Sequence, residues 1–311
     1  MEATLIIAIL ASAIRASTPL IFAGMGELLT EKSGVLNLGV EGVMLIGALS
    51  GFVVAQVTGS LFLAVLAAAM AGGLFSLLHG LICISWRSNQ IVSGLALVML
   101  GSGLSGYFGR PWVGVAPRIF FTTQPIPWLS EIPWLGPILF SQNLLVYLSY
   151  LTVPLLGLLL YQTDWGLSIR ACGDNPAATD IMGISVAKVR YCCVGCGGML
   201  MGIGGAYLSL AYTHMWGEEL AGGRGWIAIA LVIFSGWQPA RLLWGAYLFG
   251  GIEAIQLRCQ ASGKFTAIPV YFLMMLPYLA TMLMLTISKL GEHRDDSPQA
   301  LAQPFHRELA G

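Results

Sequence analysis

The side chains that most often carry out catalysis are few and scattered in this sequence. Cys193 and Cys196 have the spacing of redox and metal motifs, but they lie in an apolar segment without a second ligand pair. Small residues at a contact between helices explain them better. The four histidines are far apart, and neither a Ser-His-Asp nor a His-Glu-x-x-His arrangement is readable. We therefore expect no enzymatic site, no metal site and no cofactor.

The segment Gly26–Ser33 comes closest to a nucleotide-binding loop. Such a loop reads Gly-x-x-x-x-Gly-Lys-Ser/Thr, because its backbone N–H groups must surround phosphates. Here Glu31 takes the place of the second glycine, and its carboxylate would repel a phosphate. The sequence therefore predicts that this chain has no ATPase of its own.

The composition is that of a membrane protein. Of the 311 residues, 57% are hydrophobic and 10% are charged, whereas soluble domains carry about 25% charged residues. Stretches such as 61–85 and 143–161 reach the roughly 20 apolar residues that a spanning helix needs. They are continuous rather than alternating, which favours helices over a barrel. The net charge of zero gives no basic surface for nucleic acid. The prediction is an all-α, polytopic helical bundle in a lipid bilayer.

We expect about eight or nine spanning helices. The N-terminal segment has no basic leader or clear cleavage site, so it is interpreted as the first of them. The seventh is short and runs into Gly236-Trp237-Gln238-Pro239, and the link 27–34 is polar, so both regions are candidates for broken or re-entrant segments. The apolar runs place the helices at about 4–25, 38–57, 61–84, 90–108, 143–161, 191–212, 225–236, 241–258 and 268–288.

Lysine and arginine set the expected orientation. Nine of the 15 lie on one side if the loop 162–190 is cytoplasmic, against five on the other side and one, Arg15, within a span. The segment 109–141, rich in Trp and Pro, is then external and suits the membrane interface. Residues 1–290 form the transmembrane domain. The polar tail 291–311 is predicted to be cytoplasmic and mobile.

Three charged residues fall within the apolar spans: Arg15, Glu41 and Glu253. A buried charge there costs at least about 2.5 kcal/mol, so each is expected to face the bundle interior or a wet cavity. One interpretation is a structural ion pair between Arg15 and one of the glutamates. The other is direct contact with a transported substrate.

Four polar residues stand near the cytoplasmic starts of helices: Asn37, Asn89, Gln90 and Ser93. Such side chains can cap helices and pack a gate, or they can line a transport pathway. The sequence favours the first interpretation and leaves the second open.

A polar segment, 164–184, interrupts the apolar chain. Asn175 followed by Pro176 is typical of an N-cap and the first position of a helix, and Gly183 would end that helix after one or two turns. A short exposed helix of this kind is either a capped loop or an element that docks onto a partner.

The same segment resembles a known family. Gly166–Ala178 and Gly183-Ile184 are similar to the coupling loop of bacterial sugar and nucleoside ABC importer permeases, a group that includes ribose and branched-chain amino-acid permeases. Gly26–Gly42, Asn89–Gly94 and Gly225–Phe234 resemble blocks typical of the nucleoside-type subgroup. Together these similarities cover nearly the whole chain.

The resemblance implies a permease in the bacterial cytoplasmic membrane that works with partners. Two permease chains, often different paralogues, would form the pathway, two separate cytoplasmic subunits would hydrolyse ATP, and an extracytoplasmic binding protein would deliver the substrate. Cys172 departs from the small aliphatic residue usual in the coupling loop. By position, the ATPase-coupling residues would be Arg170, Gly173, Asn175, Pro176, Ala177, Ala178 and Gly183.

Nucleosides or related purine-type compounds are the expected cargo, with a simple sugar as the alternative. Candidates for the pathway are Arg15, Asn37, Glu41, Asn89, Gln90, Ser93 and Glu253. Two other classes, an ion-coupled secondary transporter and a structural or receptor subunit, are weighed against the importer. ATP dependence of uptake distinguishes the first of these from it.

Overall fold

The computed structural model describes residues 2–261 and 296–305, together with scattered positions between 272 and 286. Six of the described helices are long and apolar enough to cross a membrane, which agrees with a polytopic helical bundle. The predicted span 268–288 falls largely outside the described residues. The helices are α1 Glu2–Lys32, α2 Val40–Thr58, α3 Leu61–Gly80, α4 Gln90–Gly109, α5 Leu144–Gln162, α6 Asp164–Asp174, α7 Pro176–Ile181, α8 Val186–Tyr207, α9 Arg224–Phe234 and α10 Pro239–Ala261.

Two of the long helices continue into a π-helical turn. Leu81–Ser85 extends α3 and Leu208–Tyr212 extends α8. Between α4 and α5, the segment predicted to be external contains a short antiparallel pair, β1 Gln124–Pro125 with β2 Ser141–Gln142. Its Trp128 is 85% exposed, as expected of a side chain at a membrane interface.

The first helix is longer than the sequence predicts. Residues 27–32, which looked like a polar link, continue α1 as regular helix. Their charged side chains are buried because they find partners there: Glu27 accepts the backbone N–H of Asn37, and Glu31 accepts the indole N–H of Trp237. The break comes later, at 33–39, where the chain is non-helical but largely buried.

α8 lies at the centre of the bundle, packed against α1, α2 and α3. Glycine allows this closeness: a Cβ at Gly202 would lie 2.2 Å from the carbonyl oxygen of Ala68, and one at Gly47 would lie 2.4 Å from that of Gly202. Small residues thus let the helix backbones approach closely, as is common at helix contacts in membranes.

α9 has 11 residues, which corresponds to about 16 Å of helix and is too short to cross a bilayer. It begins after Gly223 in a left-handed conformation, with φ of 82°. It ends at a tight turn in which Gly236 and Trp237 have φ of 60° and 56°. The interruption predicted at 236–239 is confirmed, and this turn leads directly into α10.

The C-terminal segment 296–305 is packed on the bundle rather than free. Ala300 is buried, and Leu301 and Phe305 pack against a hydrophobic cluster that includes Leu160, Cys172 and Val189. The prediction of a mobile tail is therefore wrong for these residues. The composition is polar, but the chain satisfies its backbone groups by hydrogen bonds to the bundle.

Candidate functional site

The loop formed by α6 and α7 has the local structure that its sequence predicts. Asn175 ends α6 and caps α7, with its side-chain oxygen accepting the N–H of Ala178 at 3.0 Å, and Pro176 is the first residue of α7. Gly183, with φ of 86°, ends the turn that follows α7, and its N–H bonds to the carbonyl of Asp180. The predicted cap, proline position and terminating glycine are confirmed.

This loop exposes apolar side chains at the end of α7. At the end of α7, Ile181 is 76% and Met182 is 80% exposed, and Ala178 is exposed one turn earlier. Ala177 is half-buried. This small exposed apolar cluster makes the end of α7 a candidate interaction surface.

Residues of α6 attach the loop to the bundle. A Cβ at Gly173 would lie 2.3 Å from the carbonyl oxygen of Lys32, so only glycine allows α6 to approach the end of α1 so closely. The guanidinium of Arg170 lies 5.3 Å from the ring centre of Tyr161. Burial raises the pKa of the Cys172 thiol to about 11, so the thiol stays neutral and packs as an apolar group.

Three of the polar residues near helix starts bind within a network around the α1–α2 link. Gln90 accepts the N–H of Leu36 at 2.7 Å. Asn37 bonds to the N–H of Gly39 and donates to Ser76 at 3.3 Å. Ser93 bonds to His79 at 3.0 Å. Their hydrogen bonds are used inside the fold, which favours packing over a pathway.

Asn89 is a helix cap. Its side-chain oxygen accepts the N–H groups of Ile91 and Val92 at the start of α4, at 2.9 and 3.1 Å. His79, which the sequence did not single out, has its second ring nitrogen 3.0 Å from the carbonyl oxygen of Leu36. That nitrogen donates, because a carbonyl oxygen only accepts, and in a neutral imidazole the other nitrogen accepts from the Ser93 hydroxyl. The histidine bridges α3, α4 and the link.

Glu41 caps α9 from the first turn of α2. Its two carboxylate oxygens accept the N–H groups of Gly223 and Gly225, at 2.7 and 2.6 Å. A carboxylate at a helix N-terminus satisfies unpaired donors and favours the positive end of the helix dipole. The Glu41 side chain thus joins the starts of two helices inside the bundle.

Glu253 has a different partner set. It forms a salt bridge with Arg224 and accepts the hydroxyl of Tyr212 at 3.3 Å. The guanidinium of Arg224 also lies 5.4 Å from the ring centre of Tyr212. Glu41 and Glu253 thus both bond to α9, so the expected pair of either one with Arg15 is replaced by these contacts in the described structure.

Arg15 lines an open cavity instead. Its volume is about 640 Å³, within the range of small-molecule sites. Tyr212 connects it to the Arg224–Glu253 pair. The described residues that line it are Ser12, Arg15, Ala211, Tyr212, His214, Ala254, Leu257, Arg258 and Ala261. We call this the outer cavity, because Arg258 lies on the side that the lysine and arginine distribution predicts to be external. The polar side chains that line it are rich in hydrogen-bond donors.

Sequence reasoning found Glu41, Glu253 and Arg15 but missed His79, Tyr212 and Arg224. A charge in an apolar run is visible in the sequence. Arg224 stands just outside such a run. Tyr212 and His79 stand near the ends of apolar runs, where residues of the membrane interface are common. The signal that could have found Arg224 is Gly222-Gly223 before it, which places a charged residue at a helix start.

A many-helix membrane bundle with a buried half-length helix and a cavity lined in part by charged residues is typical of membrane transport proteins. The chain belongs to the family described as branched-chain amino acid transport system / permease component, whose model matches residues 9–285. It is thus a multi-pass permease subunit.

Three of its relatives are permeases that it matches over at least 90% of both chains. The putative glucose ABC transporter permease TsgC13 of Haloferax volcanii is 40% identical, over 97% of this chain and 98% of its own. The guanosine ABC transporter permease NupQ of Bacillus subtilis is 36% identical over 93% of each chain. The nucleoside ABC transporter permease NupC of Lactococcus lactis is 32% identical, over 90% of this chain and 91% of its own. No solved structure matches the chain.

Proposed function

We propose that this chain is the permease subunit of an ABC importer that carries nucleosides or related purine-type compounds. The full-length similarity to the guanosine and nucleoside permeases carries the proposal. The protein would lie in the bacterial cytoplasmic membrane with eight or nine spans and a cytoplasmic C-terminus. It would work beside a second, paralogous permease, separate ATPase subunits and an extracytoplasmic binding protein.

The α6–α7 loop would dock onto the ATPase. Arg170, Gly173 and Asn175 hold the loop in shape, as their packing and cap contacts indicate. Pro176, Ala177, Ala178 and Gly183 shape α7 and its end. The exposed Ile181 and Met182 supply the apolar contact that the partner would cover.

A matched pair of lysine substitutions tests the docking role. Met182→Lys, just after α7, should abolish co-purification of the ATPase and stop uptake, because it places a charge in an apolar contact. Met215→Lys is the control, since Met215 is 55% exposed in the loop before α9. If both variants retain the ATPase and transport normally, α7 is not the docking element.

The outer cavity is the candidate for substrate passage. Arg15, Tyr212 and Arg258 offer donors and an aromatic ring to a hydroxyl-rich, uncharged molecule. Both a nucleoside and a sugar fit that description. The named glucose relative favours a simple sugar as the second candidate.

Uptake by reconstituted vesicles distinguishes the candidates. The vesicles would contain this chain, the second permease, the ATPase and the binding protein. ATP-driven uptake of labelled guanosine or adenosine, competed by nucleosides and not by glucose, would support the first candidate. Competition by glucose alone would support the sugar. Uptake driven by an ion gradient without ATP would contradict the importer.

A further inference from the structure

The C-terminal segment 296–305, here called the strap, binds the cytoplasmic end of the bundle through main-chain hydrogen bonds. At its start, the ammonium of Lys32 donates to the carbonyl of Asp296 at 2.8 Å. Near its end, the guanidinium of Arg190 donates to the carbonyl of Gln303 at 3.2 Å. Both cations are largely buried, with 5% and 2% exposure. Buried charges need acceptors, and the strap supplies one to each.

The middle of the strap donates rather than accepts. The N–H of Ala300 bonds to the carbonyl of Gly173 at 2.8 Å, and the N–H of Ala302 bonds to that of Gly34 at 3.3 Å. A side-chain bond of 3.1 Å adds the amide of Gln238, in the α9–α10 turn, to the carboxylate of Asp296. The strap therefore contacts α1, the α1–α2 link, α6, α8 and the α9–α10 turn.

The bond to Gly173 joins the strap to the loop that is proposed to dock the ATPase. Gly173 lies two residues before Asn175, the cap of α7. The bond to Gly173 fixes the strap to the base of α7. The remaining bonds fix it to the ends of other helices. Cavities of about 330 and 210 Å³ lie beside it. The strap is thus held by separate hydrogen bonds and by the packing of Leu301 and Phe305, with a cavity near each of its ends.

We propose that the strap is a positioning element that passes displacement of α7 to α1, α8 and the α9–α10 turn. The proposal rests on the proposed docking of an ATPase onto α7. A segment that hydrogen-bonds all of these elements makes them move together. Without it, α7 could move while the ends of α1 and α8 stay in place.

The first test exchanges the hydrogen-bond donor and acceptor between Gln238 and Asp296. Gln238→Glu places a carboxylate opposite Asp296 and should break that contact by repulsion. The double variant Gln238→Glu with Asp296→Asn exchanges the two roles and should restore it. Both are made in the full reconstituted complex, and the readout is the ratio of ATP hydrolysed to substrate transported.

We expect the single variant to retain the ATPase but to raise this ratio by about fivefold, the lower end of the coupling strengths seen between sites. The double variant should return to the wild-type ratio. A purely structural role would reduce yield without changing the ratio. An unchanged ratio in the single variant, or no rescue in the double, overturns the proposal.

The second test uses a backbone constraint. Ala302 has φ of 62°, where glycine is comfortable and a β-branched residue is strained. Ala302→Val should raise the same ratio, and Ala302→Gly should leave it unchanged. Equal ratios of ATP hydrolysed to substrate transported in the two variants would count against the proposed role of the strap.

The two proposals fail in different ways. If the wild-type complex neither binds an ATPase nor takes up substrate with ATP, the proposed function fails before any strap variant is measured. If wild type is coupled and the strap variants have its ratio, only the strap proposal fails.

Discussion

The contact between α2 and α9 and the outer cavity show two ways in which a membrane protein uses a buried charge. At the first, Glu41 is fully bonded to two backbone N–H groups. At the second, Arg15 and Arg258 line the outer cavity, and Glu253 is held aside by Arg224. Satisfied charges build the scaffold, whereas charged side chains that line a cavity are within reach of a ligand.

The largest effect is expected from Glu41→Ala. It leaves the N–H groups of Gly223 and Gly225 without acceptors, at roughly 1–3 kcal/mol each. We expect little folded protein, measured as yield and thermal stability in detergent. Glu41→Gln keeps one acceptor oxygen and should be intermediate. Normal stability of the alanine variant would show that water replaces the cap. Glu41 would then not be a scaffold charge, and the contrast with the outer cavity would be wrong.

A somewhat smaller effect is expected from Gly202→Ala. The added methyl would meet the carbonyl of Ala68, and overpacking of this kind costs about 1–3 kcal/mol. Gly103→Ala is the control, because a Cβ there meets nothing within 4 Å. The midpoint of thermal unfolding should fall for the first variant and stay constant or rise for the second.

Glu253→Gln should affect uptake more than folding. It removes the charge that holds Arg224, which costs about 1–2 kcal/mol of interaction, and it frees the guanidinium to enter the outer cavity. We expect lower uptake with normal assembly, measured in the same vesicles. A fully active variant would make Glu253 a scaffold residue like Glu41.

The smallest effect on stability is expected from Arg258→Gln. The side chain is exposed and lines the cavity. If it contacts substrate, the KM of uptake should rise roughly tenfold, equivalent to about 1.4 kcal/mol, with an unchanged melting temperature. An unchanged KM would place the substrate elsewhere in the bundle.

The sequence predicted those features that depend on local pattern. The apolar runs placed α2 to α5 within a few residues, and Asn175-Pro176 and Gly183 placed α7, because caps and turns are set by neighbouring residues. It could not show that α1 continues to Lys32, since helix formation there depends on the distant partners of Glu27 and Glu31.

The candidate sites divide in the same way. Arg15, Glu41 and Glu253 were visible as charges in apolar runs, but their roles depend on which helices meet. Glu41 bonds to residues more than 180 positions away, and no local pattern carries that information. The tail was misjudged for the same reason, because its polar composition hides main-chain bonds to Gly34 and Gly173.

The position of the strap in the chain has a consequence for biosynthesis. Residues 296–305 are synthesised after every helix described here, so the carbonyls of Asp296 and Gln303 reach Lys32 and Arg190 only once these helices have been made. The end of the bundle that carries Lys32 and Arg190 is therefore completed last among the described parts of the chain. A chain interrupted before residue 296 would lack these two carbonyls and the apolar packing of Leu301 and Phe305, which would leave that end of the bundle open to water.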